Sequence, residues 1–499
     1  MKHYLGVDIG TFETKGVIAD QDGRIVATAA RPHQMLVPQP GWAEHRPQED
    51  WWGDFVFVTR KMLAESRIDP TTIAAIGTSA IGPCMLPVDA DGAPLMNGVL
   101  YGIDTRAAEE IKSLSQRIGA ETIIAKCGNA LTSQSVGPKI LWLKRHRPEL
   151  FARTHKVLTS TSYLVHRLTG RFVIDHYSAA NTSPLYLPDR LAYSDELASD
   201  IIPLDKLPEP AWTTDIAGTV TQRAAEETGL AAGTPVIVGT IDAAAEALSV
   251  GVAKPGDMML MYGSTIFIIE ITRERVTDPR LWYAPWLFPG QHASMSGLAT
   301  SGTLTHWFRQ QFARELDPET AIVTLTQEAE KSPAGAKGLV LLPYFSGERT
   351  PIHDPQAKGM IFGLNLTHER GDLFRALLEG IACGTNHIFE TYAEVGQEPK
   401  AIYAVGGGTK NKVWAQATSD IAGRTQIVRE KTIGASYGDA FLAAMAIGEV
   451  KAGDIEAWNP VATTFEPDAA HRARYARLYS IFRDLYPATR KSMAALDSI

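Results

Sequence analysis

A strand, a turn rich in glycine and hydroxyl groups, and a second strand make up residues 4–16, Y-L-G-V-D-I-G-T-F-E-T-K-G. Apolar residues on both sides of the turn predict a β-hairpin. The turn suits a phosphate, because Gly10 lets backbone amides approach an anion while Thr11 and Lys15 supply a hydroxyl and a positive charge. Asp8 would repel phosphate directly, so we predict that it holds a magnesium ion. A buried strand followed by a polar hairpin is the alternative that this segment alone leaves open.

The same pattern returns in the second half of the chain, where Gly263, Ser264 and Thr265 separate two apolar runs. The two halves share this pattern without a residue-by-residue repeat. A chain of 499 residues exceeds what one core usually organises. We therefore predict an α/β protein with domains at residues 1–247 and 248–450, each opened by a phosphate hairpin, and a helical segment at residues 451–499.

Asp242 lies where a buried strand, residues 236–238, gives way to a run of small helix-forming residues. A helix N-terminus stabilises a carboxylate, so we predict that Asp242 stays ionised at neutral pH and accepts a proton from a hydroxyl held beside it. An ordinary helix cap would place the same residue type there, and the spacing alone leaves that alternative open.

Two further segments are candidates for binding a small polar ligand. A short strand, residues 73–79, is followed by Gly82 and Pro83, and ligands of α/β sheets lie at such carboxyl ends. Asp104 and Arg106 precede a helical run and predict either polyol binding or a capped helix start. The next predicted helix, residues 136–150, carries basic residues that we predict to form a solvated face: Lys139, Lys144, Arg145 and His146.

A strand at residues 401–405 is followed by three glycines, Thr409, Lys410 and Asn411, and then by a helix. Consecutive glycines at such a turn let a flat ring approach the backbone and leave helix amides facing an anion. The spacing departs from the G-x-G-x-x-G of dinucleotide sites.

The amino-acid composition of the chain limits which binding partners and which cellular compartment we predict for it. The net charge of −8 provides no basic field for nucleic acid or an anionic membrane, so a phosphate must be bound locally. Three scattered cysteines and the absence of a long apolar run predict a cytoplasmic protein without disulfides or membrane spans. The oligomeric state is open, with a homodimer as one alternative.

Several motifs together, in order along the chain, resemble those of the FGGY carbohydrate kinases, within the actin-like ATPase superfold. They cover residues 4–448 and read G-V-D-I-G-T at 6–11, P-G-W-A-E-H-R-P at 40–47, P-K-I-L-W-L-K-R-H-R-P-E at 138–149, G-T-I-D-A-A-A-E at 239–246, G-M-I-F-G-L-N at 359–365 and G-G-G-T-K-N-K-V-W-A-Q at 406–416. The resemblance implies two domains around a catalytic cleft, with ATP and Mg²⁺ bound there beside a small sugar. The motif at 138–149 is most similar to that of pentulose kinases, which implies D-xylulose as the acceptor.

The resemblance also implies roles for individual residues. Asp242 would be the general base and Asp8 the magnesium-side carboxylate. The remaining residues divide into a phosphate group (Gly10, Thr11, Lys15, Gly263, Ser264, Thr265), an adenosine group (Gly407, Gly408, Asn411) and a sugar group (Gly82, Pro83, Asp104, Arg106, Asp242). One departure concerns the sugar, since the Met-His-Gly of the pentulose kinases is replaced here by Gly82-Pro83-Cys84.

Other functions remain as alternatives. The acceptor could be another pentulose, a polyol or an aldonate, such as ribulose, erythritol, glycerol or gluconate. From a different class, the same superfold supports nucleotide-switched chaperones and filament subunits. Those proteins need a peptide-binding domain or a polymerising surface instead of a base opposite the γ-phosphate.

Overall fold

The structure is a computed structural model that describes residues 1–498. In the first half of the chain the strands are β1 His3–Ile9, β2 Glu13–Asp20, β3 Ile25–Pro32, β4 Glu44–His45, β5 Ile73–Ala80, β6 Leu86–Val88, β7 Gly98–Val99, β8 Lys156–Leu158, β9 Val173–Asp175, β10 Tyr186–Leu187, β11 Ala192–Tyr193, β12 Glu209–Ala211, β13 Ile216–Thr219, β14 Pro235–Ile237 and β15 Thr240–Ile241. The helices are α1 Asp54–Ser66, α2 Ala108–Ile118, α3 Ala120–Cys127, α4 Val136–His146, α5 Pro148–Arg153, α6 Ser160–Thr169, α7 His176–Ala180, α8 Asp195–Ala198, α9 Gln222–Thr228 and α10 Asp242–Ser249.

In the second half the strands are β16 Asp257–Tyr262, β17 Ile266–Thr272, β18 Trp282–Pro285, β19 His292–Leu298, β20 Val340–Leu342, β21 Met360–Phe362, β22 Ala401–Val405, β23 Gln426–Arg429 and β24 Val461–Phe465. The helices are α11 Gly302–Phe312, α12 Ala321–Lys331, α13 Arg370–Glu394, α14 Lys412–Ala422, α15 Ala435–Ala446, α16 Ile455–Trp458 and α17 Arg472–Ala495. None of the helices within residues 1–498 combines the length and apolar character that crossing a bilayer requires.

Two large mixed sheets organise these elements in the same way. The first has the strand order β13-β14-β5-β1-β2-β3, with β15 also paired to β5, and the second has the order β18-β19-β17-β16-β22-β23-β24. In each sheet a central strand, β1 or β16, pairs antiparallel with its hairpin partner and parallel with a strand on its other side. The α/β class and the hairpin in each half are therefore confirmed.

Helices α10 and α15 join the two halves. Helix α15, from the second half of the sequence, packs directly on β1 and β5 of the first sheet and on α10. Glycines allow this approach, because a methyl group on Gly438 would lie 2.0 Å from the Ala245 carbonyl oxygen. The close packing of α15 thus joins the two halves instead of stabilising one of them.

Two element predictions differ from the structure. The helix predicted at residues 136–150 ends at His146, and Pro148 begins a separate helix, since proline fits the first turn of a helix better than its interior. The predicted C-terminal helical segment contains strand β24, which extends the second sheet beside β23, before helix α17. The division into domains at residues 247 and 450 stays a prediction.

Candidate active site

Three neighbouring parallel strands end together at one edge of the first sheet. Ile9 at the end of β1 pairs with Ala80 at the end of β5, and Ala80 pairs with Ile241 at the end of β15. The residues that follow, Gly10, Gly82 and Asp242 among them, therefore leave the sheet side by side. The sequence placed each at a strand end, and the parallel register brings them to one edge.

The first hairpin turn spans residues 10–12, so β2 begins earlier than predicted and Lys15 lies within it. Lys15 is the cross-strand partner of Asp8. Asp8 is buried, and the Ser79 hydroxyl lies 3.2 Å from its Oδ1 and 2.7 Å from Oδ2 of Asp439, a second buried carboxylate. The two residues thus lie opposite each other directly below the turn, and the Lys15 Nζ atom pairs with the Glu13 carboxylate at 3.5 Å.

Two buried histidines, which the sequence analysis missed, hold the carbonyl groups of this turn. His45 Nδ1 accepts a hydrogen bond from the Trp51 indole, so its Nε2 carries the proton and donates to the Thr11 carbonyl oxygen at 3.0 Å. Burial lowers the pKa of His45 to about 4, which keeps the ring neutral. His33 Nε2 lies 3.0 Å from the Gly10 carbonyl oxygen. Only the fold brings these distant histidines to the hairpin.

Asp242 is the first residue of α10, and the Ala243 amide donates to its Oδ1 at 2.7 Å. Burial raises the pKa of Asp242 to about 7, and the carboxylate of Glu246, one helical turn further on, raises it as well. The sequence predicted a carboxylate that stays ionised at neutral pH, whereas its surroundings in the structure move its pKa into the neutral range. Loss of hydration and the charge of Glu246 outweigh the helix N-terminus.

Burial and mutual repulsion dominate the ionisation of the carboxylates at this edge. Burial, followed by the charges of Asp242 and Glu246, raises the pKa of Asp8 well above its usual range, with Lys15 acting in the opposite direction. No group of three or more His, Cys, Asp or Glu side chains within residues 1–498 is arranged to hold a metal ion. Mg²⁺ fits this setting because it needs only one or two protein carboxylates and takes its other ligands from phosphate and water.

A pH prediction follows from the pKa of Asp242. Only the ionised carboxylate accepts a proton, so kcat/KM for the acceptor is expected to fall as the pH drops below about 7. Glu246→Gln removes a neighbouring negative charge, which eases ionisation of Asp242, and should move this acid limb down by about one pH unit. An acid limb at the same pH in both proteins would contradict the assignment of the limb to Asp242.

The second hairpin turn rests against the N-terminus of α11, a helix to which the sequence analysis gave no role. The Gly302 amide donates to the Gly263 carbonyl oxygen at 3.0 Å, and the Ser301 amide donates to the Ser264 carbonyl oxygen at 3.1 Å. A methyl group on Gly302 would lie 2.5 Å from the Gly263 carbonyl oxygen, so the approach requires glycine. Thr265 completes the turn.

The predicted adenosine residues follow the strand beside this hairpin, because Met261 of β16 pairs with Val405 of β22. Gly407 and Gly408 lie in a 3₁₀ turn, and Asn411 caps helix α14 by accepting the Trp414 amide at 3.1 Å. The Asn411 amide group also donates to the Thr326 hydroxyl at 2.9 Å. Asn411 therefore has a structural role in this conformation, and its contact with a nucleotide stays a prediction.

A cavity of about 130 Å³ lies against Asp242, between the first sheet and strands β17, β18 and β19. The side chains and backbone that line it belong to Gly82, Pro83, Asn129, Ala130, Thr132, Gln134, Ser135, Tyr177, Ala180, Asn181, Ser183, Ile241, Asp242, Ala243, Phe267, Trp282 and Met295. Amide and hydroxyl groups line one part and aromatic rings another. No lysine, arginine or histidine of the described residues 1–498 lines this cavity.

Asp104 and Arg106 lie outside the cavity lining, with both side chains fully enclosed. The Arg106 guanidinium binds the Asp104 carboxylate in a bidentate pair, from Nε to Oδ1 and from Nη2 to Oδ2, and also reaches Glu44 at 2.8 Å. Asp104 accepts the Ala43 amide at 2.7 Å as well. Neither residue starts the helix, because α2 begins at Ala108. The pair holds loops together, and the predicted direct contact with sugar stays untested.

Comparisons with known proteins identify the family of this chain. The family models for the N-terminal and C-terminal domains of the FGGY family of carbohydrate kinases match residues 3–249 and 258–447. This chain belongs to the FGGY family of carbohydrate kinases, and it is an ATP-dependent sugar kinase.

The relatives of this chain within the family include xylulose kinases and a gluconokinase. The chain is 28% identical to a xylulose kinase of Bacillus subtilis, over 100% of this chain and 99% of that protein. The crystal structure of xylulose kinase from Rhodospirillum rubrum has a TM-score of 0.92 and 32% identity, covering 99% of this chain and 100% of that one. A gluconokinase of Bacillus subtilis is 26% identical, over 92% of this chain and 89% of that protein.

Proposed function

We propose that this kinase transfers the γ-phosphoryl group of ATP to the terminal hydroxyl of D-xylulose. The observation that carries the proposal is the cavity beside Asp242, where a carboxylate with a pKa of about 7 faces neutral hydrogen-bonding groups. The similarity to xylulose kinases along the whole chain supports the choice of a ketopentose.

The charge of the cavity argues against an aldonate such as gluconate. With its terminal hydroxyl at Asp242, an aldonate would place its carboxylate at the other end of the cavity, and the cavity lining supplies no positive side chain to pair with it. Burying an unpaired charge costs several kcal/mol. A neutral sugar avoids this cost, since Asn181, Gln134 and Thr132 offer neutral donors and acceptors.

The residues of the chain suit an in-line transfer. Asp242 Oδ1 already accepts the Ala243 amide, which leaves Oδ2 to take the proton of the attacking hydroxyl. The sugar oxygen bonds to the γ-phosphorus as the bond from that phosphorus to the bridging oxygen of ADP breaks. Backbone amides of the two hairpin turns and Lys15 would bind the phosphate oxygens, while Phe267 and Trp282 exclude water. A bound magnesium ion would add positive charge that offsets the negative charge of the phosphoryl oxygens.

A substitution of Asp8 tests separately whether this residue helps to bind magnesium. Asp8→Asn keeps a side chain of the same shape but removes the negative charge, so it should raise the Mg²⁺ concentration needed for half-maximal activity about tenfold or more and lower kcat. Titration of activity with Mg²⁺ at fixed ATP measures this. An unchanged Mg²⁺ requirement would make Asp8 a structural residue.

A substitution at Gly407 tests the predicted adenosine-binding surface better than a substitution at Gly408. A methyl group on Gly408 would lie 2.6 Å from the Trp414 ring, whereas one on Gly407 would have no non-neighbouring atom within 4 Å. Gly407→Leu should therefore raise the KM for ATP about tenfold while the KM for the sugar and the folding stability stay near normal. An equal rise in the KM for ATP and in the KM for the sugar would mean that the nucleotide binds elsewhere.

A coupled ATP assay over pentuloses, hexuloses, polyols and aldonates tests the substrate. We expect the highest kcat/KM with D-xylulose. Gly82 and Pro83 bring no side-chain hydrogen bond to the cavity, so more than one ketopentose should be accepted. Sharp rejection of D-ribulose would contradict this broad acceptance. Activity confined to a polyol or an aldonate would overturn the proposed substrate.

A further inference from the structure

Lys139 in helix α4 is fully enclosed, although the sequence predicted it on a solvated face with Lys144, Arg145 and His146. Arg145 and His146 are exposed and Lys144 is partly exposed, so only Lys139 departs from that prediction. A buried ammonium group loses its hydration, and this loss is unfavourable unless the group gains hydrogen bonds in the protein. The stability of the buried ammonium group therefore depends on the hydrogen-bond partners of Lys139.

Those partners are two successive backbone carbonyls. The Nζ atom of Lys139 lies 2.5 Å from the Leu100 carbonyl oxygen and 2.9 Å from that of Tyr101. Within residues 1–498 no carboxylate forms an ion pair with Lys139, because Asp104 is bound to Arg106. The ammonium group thus serves to fix one peptide segment, at the point where strand β7 has ended and a loop begins.

The residue at that point reaches the phosphate hairpin. The Tyr101 hydroxyl lies 3.5 Å from the Thr11 hydroxyl. Tyr101 therefore lies against the first hairpin turn, which leaves the same edge of the first sheet as Asp242 does. Its position depends on the direction of the two carbonyls that Lys139 holds.

We propose that Lys139 is a positioning residue that holds Tyr101 against the first phosphate hairpin, at the sheet edge that this hairpin shares with Asp242. This inference rests on the proposed function, since Tyr101 affects catalysis only if the acceptor hydroxyl and the phosphate meet there. Lys139 itself touches neither the cavity nor the hairpin.

The charge state of Lys139 is consistent with this role. Burial lowers the pKa of Lys139 to about 8, with Asp104 and Cys84 opposing the shift and Arg106 adding to it. Cys84 is itself buried and its pKa is raised to about 12, so it stays a neutral thiol. At pH 7 the amino group of Lys139 is mostly protonated and has three donors for the two carbonyls.

The test compares Lys139→Met with Lys144→Met, a control on the same helix. Met keeps the apolar stem and removes the donors. For Lys139→Met we expect at least a tenfold rise in the KM for D-xylulose, a KM for ATP within twofold of the wild type, and faster hydrogen exchange at residues 100–106. Lys144→Met should match the wild type in all three. Unchanged sugar KM and unchanged exchange in Lys139→Met would overturn the proposal.

A double-mutant cycle with Tyr101→Ala separates positioning from a general structural role. If Lys139 acts through Tyr101, Lys139→Met should change the sugar KM less than twofold in the Tyr101→Ala protein. A full tenfold effect in that background would overturn the proposal. If Lys139→Met does not fold, Lys139→Gln, which retains an amide donor, takes its place in the same cycle. If the wild type phosphorylates no sugar, the proposed function fails, and hydrogen exchange alone decides whether Lys139 holds the loop.

Discussion

Replacing Asp242 by asparagine is expected to lower kcat about 10²- to 10⁴-fold, with the KM for ATP almost unchanged. Asparagine keeps the shape of the side chain and the hydrogen bond from the Ala243 amide, but it does not accept the proton of the sugar hydroxyl. Steady-state kinetics with saturating ATP and D-xylulose measure the loss.

Asp195 offers a matched control for this variant. It is likewise the first residue of a helix, α8, and it is exposed. Asp195→Asn should leave kcat within twofold of the wild type. Near-normal turnover of Asp242→Asn would rule out Asp242 as the base, whichever sugar is the substrate.

Gly6→Ala is expected to destabilise the fold by about 3 kcal/mol. A methyl group at Gly6 would lie 1.9 Å from the Ser436 carbonyl oxygen and 2.6 Å from the Ala440 amide nitrogen. Both atoms belong to the backbone of α15, so no side-chain rotation relieves the contact and the helix must move away from the first sheet. Denaturant unfolding of the variant and the wild type measures the difference in free energy.

Gly453→Ala is the control, because a methyl group there would have no non-neighbouring atom within 4 Å. It should change the free energy of unfolding by less than about 0.5 kcal/mol. A Gly6→Ala protein as stable as the wild type would mean that α15 is not closely packed on β1. Loss of activity is also expected, since Asp8 lies two residues further along the same strand.

The hairpins and the order of the main elements were predictable from local patterns. Apolar runs broken by Gly10 or Gly263 predict strand pairs through interactions between residues close in sequence. The strand that ends before Asp242 and the helix that follows it are local features of the same kind. The chemistry expected of Asp8 and Asp242 followed from these positions and from the resemblance to a kinase family.

The ionisation of Asp242 was not predictable in the same way. The helix N-terminus is visible in the sequence, but the loss of hydration depends on which surfaces cover the carboxylate. The same holds for Lys139, whose place in a basic run predicted exposure. Its helix turns this residue toward the loop at Tyr101, and two backbone carbonyls replace the solvent.

The sequence by itself determined the strands, the turns, the two-part α/β organisation and the residue types at the strand ends, because these depend on periodicity and on neighbours along the chain. Only the tertiary structure decided which distant side chains meet. The cavity beside Asp242 joins Gln134, Asn181 and Trp282 from three separate segments, and His33 and His45 reach the first hairpin across the fold. Burial and contact depend on how the two sheets and helices α10 and α15 pack together, and no local pattern specifies that packing.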